Sequence, residues 1–376
     1  MQYTGMDYSP LFESAELPNV SLKNRLVMAP MTTISGEEDG SFSKQEINYL
    51  AQRAADGIGM IMTPACYVHK TGHSFERQVG CHIDEMIPSL TAAAEAINQH
   101  GAASILQIHH GGNAAHKAFS GSQPIAPSAI KNRSGTSELP RAMSEDEIYL
   151  LIDSFAQAAL RARTAGFTGV EIHGANTYLF QQFFSRFTNR RKDRWGSDVE
   201  LPAMDTLENR SRFAREVIKA VRAKVGKDYL ISYRISPEEA EPFGYSTADA
   251  IELLKTLIPC GIDVIHVSSW KYHDNLRNDI PSGINPTAMI KAAFPGTPVI
   301  GVGGIMLPEQ ALEVREQGID FVAMGTVLIL EKNWVGKVRA GDSATIRTGI
   351  SSEIERQSLD IPDRMKEYTR RFLTVD

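Results

Sequence analysis

The chain has few cysteines, and their positions exclude most thiolate chemistry. Its 376 residues include three, Cys66, Cys81 and Cys260, and no two of them have the C-x-x-C spacing. Iron–sulfur clusters and thiolate zinc sites need several closely spaced thiolates, so neither is expected here, and no metal site is predicted. So few cysteines without paired spacing favour a reducing compartment, and we expect a cytoplasmic protein.

Long apolar runs and blocks of positive charge are also absent. No run approaches the roughly 20 residues that cross a bilayer, and the N-terminus lacks the basic and apolar regions of a secretory signal. The formal net charge of −6 opposes broad contact with a nucleic-acid backbone. We therefore expect a globular protein that binds neither membranes nor nucleic acids. A homo-oligomer is compatible with the sequence.

Eight short apolar segments alternate with longer amphipathic ones. They are rich in Val, Ile and Leu and hardly alternate with polar residues, which is typical of parallel strands buried on both faces. Since parallel neighbours need crossovers, eight such units predict a single-domain (β/α)8 barrel, the TIM-barrel fold. The predicted strands are Arg25–Met31, Met60–Val68, Ala103–His109, Gly169–His173, Tyr229–Ile235, Asp263–Ser268, Pro298–Gly303 and Asp320–Met324.

The alternative architecture is an open, doubly wound parallel sheet. That fold binds dinucleotides through a G-x-G-x-x-G turn after a strand. The nearest segment, Gly301-Val-Gly303-Gly304-Ile-Met306, lacks the last glycine, and no P-loop occurs. The barrel is therefore the preferred prediction.

Helical segments between the strands begin at recognisable caps. The helices Ser43–Asp56 and Ser144–Thr164 each start with a serine that is followed three residues later by a glutamate, Glu46 or Glu147. This pattern predicts a capping box. Periodicity predicts further helices over Leu207–Val225, Thr247–Pro259 and Pro308–Gln317.

Both ends of the chain lie outside the eight predicted strand–helix units of the barrel. The residues before Arg25 predict a short hairpin that caps the bottom of the barrel. We assign residues 1–340 to the barrel and residues 341–376 to a helical extension packed on the barrel or on a neighbouring subunit. The stretch Ser197–Thr206 is an insertion to which the sequence assigns no role. Trp270, Tyr272 and His273 are compatible with a pocket wall and equally with lid packing.

Small and polar residues collect at the C-terminal ends of the predicted strands. Taken singly, most polar strand residues are structural hydrogen-bond partners. Because barrel active sites form at this end, so many of them together predict one shared pocket. The candidates are Ala29, Pro30, Met31, Thr32, Ala65, Gln107, His173, Asn176, Tyr178, Arg234, Gly303, Gly304, Gly325 and Thr326.

Two motifs among these residues resemble the Old Yellow Enzyme family of flavin oxidoreductases. They are K-N-R-L-V-M-A-P-M at 23–31 and V-E-I-H-G-A-N-T-Y-L at 170–179, and the resemblance extends through L-E-N-R-S-R-F at 207–213 to V-G-G-I at 302–305. The resemblance implies a (β/α)8 barrel with non-covalent FMN and with NADH or NADPH as co-substrate. The implied reaction is ping-pong reduction of small electrophiles, namely activated alkenes such as α,β-unsaturated carbonyls, and also quinones or nitro compounds.

The resemblance also implies how the flavin is held. Arg234 and Gln107 would hold its pyrimidine edge, where negative charge develops on reduction. An arginine usually follows the strand-eight glycine in the family, whereas this chain has Thr326, which brings no charge. The residues implied to line the ring are Ala29, Pro30, Met31, Thr32 and Ala65, and those implied to hold the phosphate are Gly303, Gly304, Gly325 and Thr326.

Catalytic roles are implied for three residues. His173 and Asn176 resemble the family's paired donors to a substrate carbonyl oxygen, which make the alkene accept hydride. Tyr178 would donate the proton to the α-carbon, because a phenol with a pKa of about 10 is protonated at neutral pH. Without the resemblance, Tyr178 would be interpreted as a packing aromatic.

Two other functions are weighed against this one. The dienoyl-CoA reductase or amine dehydrogenase branch of the superfamily needs an iron–sulfur cluster, and the three cysteines are too few and too far apart to hold one. A non-catalytic, flavin-binding redox sensor would keep the barrel and the flavin. It would differ in one measurable property, since NADH and NADPH would not bleach its flavin.

Overall fold

A computed structural model describes residues 6–131, 138–196, 203, 205–241, 244–272 and 285–373 of the chain. Its strands are β1 (Ala15–Leu17), β2 (Val20–Leu22), β3 (Leu26–Met28), β4 (Met60–Met62), β5 (Cys66–Tyr67), β6 (Ala103–His109), β7 (Ile125–Ala126), β8 (Arg141–Ala142), β9 (Gly169–Gly174), β10 (Leu230–Ile235), β11 (Val264–Ser268), β12 (Val299–Val302) and β13 (Phe321–Met324). Parallel strands pair in the order β4-β3-β13-β12-β11-β10-β9-β6, and β4 also pairs with β6, which closes the ring. The predicted eight-stranded barrel is confirmed.

Helices surround the barrel and form the crossover connections between its parallel strands. They are α1 (Lys44–Asp56), α2 (Ile87–Asn98), α3 (Lys117–Ser120), α4 (Glu145–Thr164), α5 (Leu179–Phe184), α6 (Leu207–Val225), α7 (Thr247–Leu257), α8 (Pro286–Ala293), α9 (Pro308–Glu316), α10 (Thr326–Leu330), α11 (Trp334–Ala340), α12 (Glu353–Ser358) and α13 (Asp363–Thr369). The five predicted helices lie where expected, whereas six others were not predicted, namely α2, α3, α5, α8, α10 and α11. Across the described ranges, no helix has both the length and the apolar character to span a bilayer.

The second predicted strand, Met60–Val68, is interrupted. It forms β4 and then β5, with Pro64 between them, and proline has no N–H to donate to a strand ladder. Pairing with β6 resumes at Cys66, which lies opposite Ile108. The single continuous strand was therefore wrong, although its two parts share one neighbour.

The N-terminal hairpin packs against the inside of the barrel. β1 and β2 pair antiparallel, and Asn19 between them has φ 57°, a left-handed conformation that asparagine tolerates in turns. The buried side chains of Leu17 and Leu22 join one apolar cluster with Val27 and Phe321 of the barrel strands. The hairpin thus extends the core of the barrel, as the sequence predicted.

The capping box predicted at Ser43 forms only in part. Ser43 Oγ accepts the backbone N–H of Glu46 at 3.2 Å, but the Glu46 carboxylate turns inward and accepts a hydrogen bond from the Thr33 hydroxyl. Burial raises the pKa of Glu46 to about 7. At Ser144 both halves of the box form. The tertiary partner Thr33 explains the difference, because it competes for the same carboxylate.

Candidate active site

The C-terminal end of the barrel opens into a cavity of about 390 Å³. The ends of β3, β10, β12 and β13 contribute to its walls, so residues distant in sequence meet there. Trp270, after β11, and Tyr368 and Phe372, from the C-terminal segment, complete the lining. The predicted site residues that line this cavity are Ala29, Pro30, Met31, Thr32, Arg234, Gly303, Gly304, Gly325 and Thr326.

Two predicted flavin contacts do not line this cavity. Ala65 lines a small adjoining recess to which Thr32 also contributes. Gln107 is 1% exposed on β6, and its Nε2 donates to Glu171 Oε1 at 2.8 Å. The side-chain amide of Gln107 therefore has a protein partner that the sequence did not predict.

Glu171 is the centre of a buried polar network inside the barrel. Its carboxylate accepts hydrogen bonds from Gln107 Nε2 at 2.8 Å and Ser232 Oγ at 2.9 Å, and contacts His266 Nδ1 at 2.8 Å. Burial alone would raise the pKa of Glu171, yet it lies below its ordinary value because charge on His266 and Arg234 and these hydrogen bonds favour the carboxylate. A glutamate in the middle of a strand predicted to be buried was the signal that could have revealed this network.

Arg234 lies on β10, two residues after Ser232 of this network, and lines the cavity. It is 7% exposed, and its Nε has no hydrogen-bond partner among the described residues. A buried donor without a partner costs about 1–3 kcal/mol, so the site favours a ligand with an acceptor or a negative charge at this position. The electron-rich pyrimidine edge of FMN fits this requirement.

The turn after β12 packs closely against the backbone of the loop that follows β11. A Cβ on Gly303 would lie 2.6 Å from the backbone nitrogen of Tyr272, which donates to the Gly303 carbonyl at 3.0 Å. Gly304 has φ 63°, which favours glycine. Together with Gly325 after β13, this turn occupies the usual phosphate position of a (β/α)8 barrel.

His173 and Tyr178 are in contact at the end of β9. Their ring centroids are 5.0 Å apart, and the ring of His109 lies 5.3 Å from the first and 4.4 Å from the second. Nδ1 of His173 accepts the N–H of Ala175 at 3.4 Å, which leaves the proton of the neutral ring on Nε2. Burial lowers the pKa of His173 well below its ordinary value, so the ring acts as a neutral N–H donor.

Burial raises the pKa of the Tyr178 phenol, while the positive charge of Arg234 opposes this shift. The phenol therefore stays protonated across the physiological range. Negative charge on Tyr368 would raise the same pKa, which places the two phenols in electrostatic range of one another. Tyr178 is thus suited to store a proton, although neither it nor His173 is among the residues that line the first cavity.

Asn176 lies on a second cavity of about 550 Å³, to which Ser269 and Trp270 of the first also contribute. Asn176 and Thr177 both have positive φ, 58° and 64°, a strained pair of the kind that clusters at functional sites. The Asn176 Oδ1 accepts from Ser268 Oγ at 3.2 Å. Its Nδ2 is therefore oriented as the donating end of the side chain.

Residues near the C-terminus contribute to the first cavity, which the sequence did not predict. Tyr368 and Phe372 line the first cavity, and their rings meet edge to face at 5.8 Å. Arg356 is 2% exposed and fixes this segment through Thr369 Oγ1 at 2.9 Å and the Leu373 carbonyl at 2.6 Å. Aromatic residues in a polar tail carry no periodic signal that would assign them to a site.

The structure separates the three residues that were compatible with a pocket wall or with lid packing. Trp270 is a wall of both cavities and is 85% exposed, whereas the Tyr272 hydroxyl donates to Glu313. His273 lies outside the described residues, as does most of the insertion Ser197–Thr206. No role for that insertion is assigned.

The model of the NADH:flavin oxidoreductase / NADH oxidase family matches residues 10–344, and the chain belongs to this family. It is 36% identical over 366 residues to the NADH:fumarate oxidoreductase of Klebsiella pneumoniae (strain 342), covering 94% of this chain and 38% of that protein. It is 34% identical over 359 residues to a probable NADH-dependent flavin oxidoreductase, YqiG, of Bacillus subtilis (strain 168), covering 95% of this chain and 94% of that protein. The chain thus spans little more than a third of the first relative.

Solved structures give the same fold. A 2-naphthoyl-CoA reductase in complex with 2-naphthoyl-CoA matches with a TM-score of 0.82 and 27% identity over 90% of this chain and 53% of that one. Morphinone reductase in complex with tetrahydroNAD matches with a TM-score of 0.75 and 28% identity over 88% and 91% of the two chains. Membership of this family implies FMN as the cofactor and NADH or NADPH as the co-substrate.

The buried histidines make the stability of the fold depend on pH. Burial lowers the pKa of His109 to about 3 and holds those of His110 and His173 well below their ordinary value. Since a histidine in the unfolded chain has a pKa of about 6.5, the unfolded state binds more protons below that pH. Burial raises the pKa of three carboxyl groups, Glu46, Asp56 and Glu239, and these have the opposite effect, but seven histidines have a lowered pKa.

We therefore expect the free energy of unfolding to fall as the pH decreases from 7.5 to 5.5, by up to about 1.4 kcal/mol per pH unit and histidine. Urea denaturation of the flavin-free chain measures it without a contribution from flavin binding. The variant His109→Gln, which cannot titrate, should show a smaller slope than the wild type. A midpoint that is constant or rises on acidification would contradict the expectation.

Proposed function

We propose that the protein is an FMN-dependent NAD(P)H oxidoreductase that reduces activated alkenes, chiefly α,β-unsaturated carbonyl compounds, by ping-pong hydride transfer. One observation carries the proposal. A neutral histidine N–H and a protonated phenol, His173 and Tyr178, are in ring contact, and His173 lies opposite Arg234 of the neighbouring strand, a residue that lines the first cavity. Quinones and nitro compounds are further acceptors of the same electrophilic class.

The protein's contribution to the cofactor is binding and electrostatics. Bound FMN would supply the two-electron hydride chemistry. Arg234 and Gln107 would hold the pyrimidine edge, and Met31 and Thr32 would line the ring. Backbone N–H groups of the Gly303-Gly304 turn and of Gly325 would hold the phosphate.

Substrate activation is assigned to two donors and one acid. His173 Nε2 and Asn176 Nδ2 would donate to the carbonyl oxygen of the acceptor and stabilise the enolate oxygen that develops. The Tyr178 hydroxyl would then transfer its proton to the α-carbon. The packing of Tyr178 against His173 and His109 would fix the direction of that hydroxyl.

The decisive experiment is an anaerobic titration of the purified, flavin-containing protein. NADH or NADPH should bleach the flavin absorbance, and addition of 2-cyclohexenone should restore it with formation of cyclohexanone. A flavin that neither nicotinamide bleaches would favour the redox-sensor alternative. A protein that takes up no FMN would refute the proposal as a whole.

The second cavity favours NADH over NADPH. Glu238, Glu239 and Glu241 line it near the exposed indole of Trp270. NADPH differs from NADH by a 2′-phosphate, which carboxylates repel, whereas they accept hydrogen bonds from ribose hydroxyls. Since this cavity adjoins the first, we expect it to receive the dinucleotide.

Flavin reduction should therefore show a KM for NADPH roughly ten-fold above that for NADH in stopped-flow experiments. The variant Glu241→Gln should narrow this ratio, and Glu252→Gln, on the exposed face of α7, should leave it unchanged. A lower KM for NADPH in the wild type would contradict the assignment.

The C-terminal extension, residues 341–376, is proposed to serve the site of its own chain. Tyr368 and Phe372 line the cavity, and Gln45 of α1 holds Asp363 through hydrogen bonds of 3.0 Å in both directions. These contacts support packing of the extension on its own barrel.

A further inference from the structure

Gln78, on the loop between β5 and α2, uses both ends of its side-chain amide inside the protein. The residue is 5% exposed. Its Nε2 donates to the carbonyl oxygen of Ala65 at 2.9 Å, and its Oε1 accepts the backbone N–H of Ser74 at 2.8 Å and that of Phe75 at 3.3 Å. One buried amide therefore ties the residue that precedes β5 to the loop that follows this strand.

The loop held by this amide carries an aromatic ring to the candidate active site. Ala65 and Phe75 line one recess together with Thr32, which also lines the first cavity. The ring of Phe75 meets that of Tyr178 edge to face, with 6.2 Å between the centroids, and it lies 6.3 Å from the ring of His109. Aromatic rings attract each other at these separations. The loop therefore contributes one packing surface for the phenol that the proposed function uses as the acid.

Strained backbone flanks the same recess. Ile34, which lines it, has φ 48°, and Arg77, which immediately precedes Gln78, has φ 53°. Branched and bulky side chains rarely adopt this left-handed region. The two turns are joined by a hydrogen bond from the Gly36 N–H to the Arg77 carbonyl at 3.0 Å. Because strained residues persist where surrounding contacts fix the backbone, and cluster at functional sites, the loop conformation depends on bonds such as those of Gln78.

We propose that Gln78 is a positioning residue for the proton transfer, which it serves by fixing Phe75 against the ring of Tyr178. The inference rests on the proposed function, because it takes Tyr178 as the acid. The bond from Nε2 to Ala65 anchors the loop to the barrel wall, and the bonds to Oε1 hold the backbone of Phe75. Proton transfer depends on such placement, since a displacement of about 1 Å can slow a reaction about 100-fold.

The test measures both half-reactions of Gln78→Met, which keeps the length of the side chain and removes both hydrogen-bonding ends. Reoxidation of the reduced flavin by 2-cyclohexenone should slow roughly ten-fold or more, and its solvent deuterium isotope effect should increase, because proton transfer becomes the slower event. Reduction of the flavin by NADH should change less than about two-fold. The control Gln99→Met, at the exposed end of α2, should behave as the wild type.

A second variant shows whether the effect passes through the aromatic ring. Phe75→Leu should by itself slow reoxidation and increase the isotope effect, and Gln78→Met added to it should slow the step less than about two-fold further. Fully additive slowing, equal slowing of both half-reactions in Gln78→Met, or an unchanged isotope effect in Phe75→Leu overturns the inference, the last even if Gln78→Met does not fold. A wild-type flavin that NADH and NADPH do not bleach contradicts the proposed function instead.

Discussion

Replacement of Tyr178 by phenylalanine should slow alkene reduction about 100- to 10,000-fold, the usual contribution of a general acid. Reduction of the flavin by NADH should change less than about two-fold, because no proton from Tyr178 is needed in that step. The phenyl ring keeps the contacts with His109 at 4.4 Å and His173 at 5.0 Å, so the substitution removes the proton and leaves the packing. The substitution should therefore slow the oxidative half-reaction and leave the rate of the reductive half-reaction nearly unchanged.

Stopped-flow absorbance measures each half-reaction in turn, with NADH first and 2-cyclohexenone second. Tyr149→Phe is the matched control, since Tyr149 is 47% exposed on α4 and lies outside both cavities. It should behave as the wild type. Equal slowing of both half-reactions in Tyr178→Phe would mean that the tyrosine supports the site without acting as the acid.

Replacement of Glu171 by alanine should lower the free energy of unfolding by about 3–5 kcal/mol, the usual cost of removing one partner of a buried charge pair. The carboxylate is the partner of Gln107, Ser232 and His266, and its charge stabilises the buried guanidinium of Arg234. Without it these buried polar groups lose their hydrogen-bond partner. Flavin affinity should fall as well, because Gln107 and Arg234 are both predicted flavin contacts.

Urea denaturation of the flavin-free chain measures this loss without a contribution from flavin binding. Ser232→Ala, which removes one hydrogen bond and no charge, should cost only about 1 kcal/mol. Glu171→Gln should lie between the two variants, since it keeps the shape and part of the hydrogen bonding. Equal stability of Glu171→Ala and the wild type would show that the network does not stabilise the fold.

Much of the architecture could be predicted because its signals are local. Apolar runs with β-branched residues mark the strands, and the serine–glutamate pair at Ser144 marks a helix start that formed as expected. The strand ends also identified nine residues of one cavity, because a parallel barrel brings every C-terminal strand end to the same rim.

The sequence by itself determined the barrel, its family and the set of strand ends that meet. Only the tertiary structure decided which partner each polar side chain has. Glu46 bonds Thr33 where its spacing predicted a capping box, Gln107 bonds Glu171 across neighbouring strands, and Tyr368 reaches the cavity from a polar tail. The physical reason is that strand periodicity is encoded within a few residues, whereas the two hydrogen-bond partners lie 13 and 64 residues away and meet only when the chain folds and neighbouring strands pair.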